Sequence, residues 1–193
     1  MSTQTLMTVE QFARMNIADT EDFEFVEGEL IPLSCGTPLH SEVRDHTADC
    51  VRSYLPGNPI GKVLAEVDCR LSENTVRRVD LSIFLGDRIQ HIDMRCIPIP
   101  FASGIAVEVL SQSEAAVEVK RKTHAYLSAG CQEVWLLYAD NGDVEVQTHN
   151  SIRLFHGEQL LESPLLQGSL RSGSGTFNSG LSSNKKENGG QEA

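Results

Sequence analysis

The chain has 193 residues, 40% hydrophobic and 22% charged, with 27 Asp and Glu against 16 Lys and Arg and a net charge of −11. That length suits one domain with a real core. The charge disfavours loose electrostatic binding to nucleic acid, since phosphate backbones repel such a surface, but it leaves room for an enzyme that gathers divalent cations on carboxylates. No stretch approaches the roughly 18 apolar residues of a membrane span, and the first nine residues lack a basic-plus-apolar signal pattern. Five scattered cysteines (Cys35, Cys50, Cys69, Cys96, Cys131) never stand at metal-ligand spacing. They read as free thiols of a reducing compartment, with the cytoplasm as the expected location.

Thr8-Val9-Glu10-Gln11 fits a capping box at the start of a short helix, with Val9 and Phe12 on its apolar side. The run FEFVEGELIPL (23–33) predicts a hairpin turning at Glu27-Gly28. From about His40 to Leu55, Val43, Thr47, Cys50, Val51 and Tyr54 recur at helical spacing, and Pro56-Gly57 stops that helix. In 62–71, Val63, Ala65, Val67, Cys69 and Leu71 fall on one face of a strand, with Glu66, Asp68 and Arg70 on the other. In 78–85, Val79, Leu81, Ile83 and Leu85 alternate with Arg78, Asp80 and Ser82. After a loop broken by Pro98 and Pro100 comes IAVEVL (105–110), apolar on both faces except for Glu108. A helix from about Glu114 to Ala129 ends at Gly130. A buried strand (133–139), a turn at Asn141-Gly142 and an outer strand (143–149) complete the pattern. These elements predict an α/β fold in which helices flank a mixed sheet. After Leu170 the composition turns to Gly, Ser and Asn, so residues 1–170 read as the domain and 171–193 as a disordered tail.

Glu108 is the most informative residue. An unpaired carboxylate in so apolar a strand costs several kcal/mol, so it must be protonated, bound to a metal, or paired with Arg or Lys in a core network. Asp80 lies on a strand that can sit beside it. Two carboxylates on adjacent strands repel unless a cation lies between them, and rigid oxygen ligands suit Mg²⁺ or Mn²⁺. Phosphodiester chemistry also needs a fixed positive charge. Lys120 and Lys122 border the apolar stripe of the following helix (Ala116, Val119, Thr123, Tyr126, Leu127), and periodicity does not choose between them. His40, Glu42 and His46 at the start of the 40–55 helix, and Glu24 in the hairpin, read individually as solvent-exposed. No Ser-His-Asp spacing, phosphate loop or dinucleotide fingerprint is present.

Together, MTVEQFARM (7–15), FEFVEGELI (23–31), Pro38 and His40, VDLSIF (79–84), IAVEVLSQS (105–113), KTHAYLSAGCQEVWLL (122–137) and SPLLQG (163–168) resemble the Uma2 family of restriction endonucleases, a branch of the PD-(D/E)xK nuclease superfamily. The resemblance spans nearly all of 7–170. It implies a restriction-endonuclease-like core in which Asp80 and Glu108 are metal ligands. Leu110 stands where the superfamily places its lysine. The family moves that lysine to the helix, where Lys122, four before Tyr126, matches. Glu24 and His40 match positions near the site. Val79 stands where the family has a proline before the aspartate.

The function expected from this reading is a divalent-metal-dependent endonuclease acting on phosphodiester bonds, with nucleic acid, foremost DNA, as substrate and Mg²⁺ or Mn²⁺ as cofactor. Asp80 and Glu108 would hold the metal, Lys122 would orient water or stabilise developing charge, and Glu24 or His40 would assist. A homodimer is in keeping with cutting two strands. The rival is a nuclease-fold module that binds or regulates without cutting, which the charge of −11 favours.

Overall fold

The period-two stretches become the strands of one mixed eight-stranded sheet in the computed structural model, which describes residues 7–15, 23–33, 35–57, 60–111, 114–156, 159–166 and 168–169. The tail at 171–193 lies outside the described residues. The strands are β1 (Phe23–Val26), β2 (Glu29–Pro32), β3 (Gly61–Ser72), β4 (Thr75–Leu85), β5 (Ile105–Leu110), β6 (Glu133–Tyr138), β7 (Asp143–Gln147) and β8 (Ile152–Phe155). Their order is β2-β1-β4-β5-β6-β7-β8, with β3 also paired to β4. Only β5 and β6 are parallel; the other described pairs are antiparallel. A parallel pair needs a crossover, and helix α3 (Ala116–Ser128) supplies it. A separate pair, β9 (Glu162–Ser163) and β10 (Gly168–Ser169), closes the described chain.

Local chemistry sets the ends of these elements. In α1 (Val9–Phe12), Thr8 and Gln11 cap each other as their spacing predicts, at 2.8 and 3.2 Å. Glu27 and Gly28 both have positive φ, 53° and 91°, as a two-residue hairpin turn requires. Helix α2 (Pro38–Tyr54) begins two residues before the expected start, because Thr37 accepts a hydrogen bond from His40 N–H and proline suits the first helical position. Gly130, at φ 96°, ends α3, with Cys131 N–H bonded back to the Tyr126 carbonyl. No helix among the described residues is long and apolar enough to cross a membrane. All five cysteines are free.

Helices α2 and α3 cover opposite faces. Val43, Ala48 and Val51 of α2 pack with Leu81, Ile83, Val107, Val109 and Trp135, whereas Tyr126 of α3 packs with Ala106, Leu110, Val134 and Leu136. The single apolar face expected along 62–71 is corrected here. Val63 and Ala65 join the α2-side core, but Val67, Cys69 and Leu71 join the α3 side. On β4, Leu81 and Ile83 lie on the α2 side and Val79 on the other. The exchange happens where Glu66, at φ 49°, faces Asp80: the ladder pairs Ala65 with Leu81 and Val67 with Val79 and skips the pair between. Alternation cannot foresee this, because a positive φ at a residue other than glycine is rare. The outer strand also stops earlier than expected, at Gln147, and β8 follows it.

Candidate active site at the gap beside β4

Strand β3 runs along one edge of β4, so β1 and β5 must share the other. β1 meets it at Phe25 and Val76; β5 meets it at Leu81–Val107, Ser82–Ala106 and Ile83–Ile105. Between those contacts the edge has no strand partner, and Asp80 stands there. Continuing the β4–β5 register would put Asp80 opposite Glu108, but the strands part at that point. The Asp80 carboxylate takes over the role of a ladder acceptor: its Oδ2 receives the Val109 N–H at 2.8 Å. His40 Nε2, from the first turn of α2, lies 3.2 Å from the same oxygen. This bond to Asp80 raises the His40 imidazole above its ordinary value, against its partial burial.

Glu108 turns to the opposite face, toward α3, and is 4% exposed. Tyr126 OH donates to its Oε1 at 2.6 Å and Lys122 Nζ to its Oε2 at 3.3 Å. Those two residues are one helical turn apart and so share a face of α3. Burial pushes the Glu108 carboxyl up to about 8; Lys122 and the tyrosine hydroxyl pull it down, and Asp80 pushes it further up. Burial works against the charge on Lys122, but Glu108, Glu114 and Glu24 together hold its ammonium above the ordinary lysine value. Lys122 also donates to Glu114 Oε1 at 3.0 Å.

Asp80 and His40 thus meet at the gap from the α2 side, and Glu108 and Lys122 meet on the α3 side, near enough for the Asp80 charge to raise the Glu108 carboxyl. Glu24 stands behind the gap. Its oxygens are taken by Arg77 Nη1 at 2.8 Å and by Arg78 N–H at 3.0 Å, and Arg77 Nη2 reaches Glu118 at 2.9 Å. Burial raises the Glu24 carboxyl, against the pull of Arg77 and Lys122. The solvent exposure expected of Glu24 and His40 from their local sequence is corrected: Glu24 is 4% exposed and His40 half-buried. Glu42 is exposed, and His46 leans on Cys50 at 3.6 Å. Asp68 is engaged by Arg78 at 2.9 Å. Lys120 lies away from the gap, in a groove beside Glu145 and Ile152.

Residues 9–173 match a family model described as "Uma2: Putative restriction endonuclease". The chain belongs to the Uma2 family. A crystal structure of a putative nuclease belonging to DUF820, from Anabaena variabilis, is similar over 83% of this chain and 90% of that one, with 22% identity and a TM-score of 0.70. At that identity the likeness is one of fold. No curated protein matches the sequence.

Three partners of these side chains went unread in the sequence. Tyr126 counts there as part of an apolar stripe and as the spacing mark for Lys122, but not as a donor to Glu108. Glu114 precedes the helix, and Arg77 lies on a strand, so no periodicity ties either to the site. Among the described residues no group of three or more His, Cys, Asp or Glu side chains is arranged to hold a metal. Two carboxylates are nonetheless enough for an ion that keeps its waters and takes further ligands from phosphate. Asp80 and Glu108 carry hard oxygens of that kind: Asp80 Oδ1 takes no hydrogen bond among the described residues, and each Glu108 oxygen accepts one.

Proposed function

We propose that this Uma2 chain is a divalent-metal-dependent nuclease that hydrolyses phosphodiester bonds, with DNA as its substrate. The observation that carries the reading is the meeting of Lys122 with Glu108 across 3.3 Å, next to the gap that Asp80 occupies. Strand β4 would supply Asp80, β5 Glu108 and α3 Lys122, two acids and a lysine of the kind that metal-assisted phosphodiester hydrolysis can use. Asp80 and Glu108 would hold Mg²⁺ or Mn²⁺, which when bound supplies Lewis-acid polarisation of a phosphoryl oxygen and an acidified water. Lys122 presents a fixed positive charge to the phosphate oxygens. Tyr126 orients Glu108, and His40 orients Asp80. Glu24 acts at one remove, by fixing Arg77 and the Arg78 backbone where the β4 edge opens.

Calorimetric titration with Mn²⁺ tests the reading. Wild type binds, while Asp80→Asn and Glu108→Gln each weaken binding and keep the circular dichroism of the fold. Equal binding by all three moves the metal site elsewhere. The rival, a nuclease-fold module that does not cut, draws support from the −11 charge and from the donors on both Glu108 oxygens. It predicts no cleavage in any of the three proteins.

A further inference from the structure

Helix α3 covers only part of its face of the sheet. Beyond it, Glu145 and Gln147 of β7 and Ile152 and Leu154 of β8 turn to the same side, while Val144 and Val146 enter the opposite core. Ile152 is 66% exposed and Leu154 49%. Between the helix and these strands runs a groove of about 710 Å³ floored by Leu110, Val119, Leu136 and Ile152. Three carboxylates (Glu114, Asp140, Glu145) and one ammonium (Lys120) rim it. Its charge is thus −2, from three negative groups and one positive.

We propose that this groove receives a segment of a partner protein that carries apolar and basic side chains. The apolar floor supplies the area that such a segment buries, and the rim supplies the sign of its charge. The same sign argues against other occupants. A phosphate backbone is repelled by the rim, and a second copy of the chain brings a net −11 of its own. Asp140 makes no ion pair among the described residues, and Glu145 receives only the neutral donors of Tyr138 and Gln147. Both carboxylates are open to a cation. Glu114 belongs to the groove and also accepts from Lys122, so a basic side chain in the groove competes with Lys122 for one carboxylate.

Binding is read without metal or cleavage, so its outcome is separate from that of the nuclease reading. The full chain is titrated with a labelled helical peptide of leucine and lysine alone, followed by anisotropy, and in parallel with its leucine–glutamate counterpart. The leucine–lysine peptide binds, the glutamate peptide does not, and Glu145→Lys and Ile152→Asp each weaken binding about tenfold or more, a difference of one decade in Kd. Glu29→Lys, on the far edge of the sheet, leaves binding unchanged and controls for bulk charge. The proposal is overturned if the lysine peptide does not bind, if all three variants weaken it equally, if the glutamate peptide binds as well, or if a thymidine oligonucleotide displaces it.

Discussion

Two glutamates lie on neighbouring strands of the same apolar sheet, both almost wholly buried: Glu108 on β5, 4% exposed, and Glu133 on β6, 2% exposed. Their surroundings differ in kind. Glu133 receives Trp135 Nε1 at 2.8 Å, Ser163 Oγ at 2.9 Å and Arg153 Nη2 at 3.1 Å, and through them it ties β6 to β8 and β9. Its three donors share one carboxylate between them. Glu108 shares Lys122 with Glu114 and feels the nearby Asp80 and Glu24, which have partners of their own in His40 and Arg77. Burial of a carboxylate is therefore not the mark of a site. The mark is a buried carboxyl raised to about 8 by burial and by Asp80, next to a place where the backbone ladder opens.

The largest expected effect on stability falls on the satisfied glutamate. Truncating one partner of a buried pair costs about 3–5 kcal/mol, and the partial exposure of Arg153 puts Glu133→Ala at about 3. Urea denaturation measures it; a loss under about 1 kcal/mol would remove the distinction drawn between the two residues. Glu108→Gln is the inverse case. Stability stays within about 1 kcal/mol of wild type, while Mn²⁺-dependent cleavage falls about 100-fold or more.

The metal-free protein sharpens the contrast through pH. Glu108 titrates at about 8 in the fold against an ordinary 4.5, so the folded state keeps a proton that the unfolded state releases in that interval. The resulting stability is whole below about 4.5 and is lost as pH rises through about 8. Glu108→Gln should flatten that part of the profile. An unchanged slope would show that the carboxyl does not titrate there.

Tyr126→Phe is smaller again. It leaves Glu108 Oε1 without its donor, so stability drops by about 1 kcal/mol. Cleavage drops about tenfold, as for other groups that orient a metal ligand. Deleting residues 171–193 is the smallest, a thermal shift below about 4 °C, because Phe177 and Leu181 are the only large apolar residues of that segment. A larger drop would give Phe177 or Leu181 a place on the domain.

How far the sequence carries follows from what each feature depends on. The sheet, both long helices and the neighbouring strands that carry Asp80 and Glu108 are legible, because period and apolar context are local properties. The exchange of faces at Glu66 and Asp80 is not, since it turns on one backbone angle. The Glu133 staple joins residues 30 apart, and β8 is four residues long with Ile152 and Leu154 exposed. Glu24 and His40 look exposed from their neighbours, and only the tertiary contacts of Arg77 and Asp80 bury them.

The two lysines of α3 offer the most direct test. Lys122 faces Glu108, and Lys120 faces the groove. Cleavage of plasmid DNA with Mn²⁺ is compared for Lys122→Ala and Lys120→Ala. Cleavage should collapse in Lys122→Ala and persist in Lys120→Ala. Undiminished cutting by Lys122→Ala would contradict the site described for this protein.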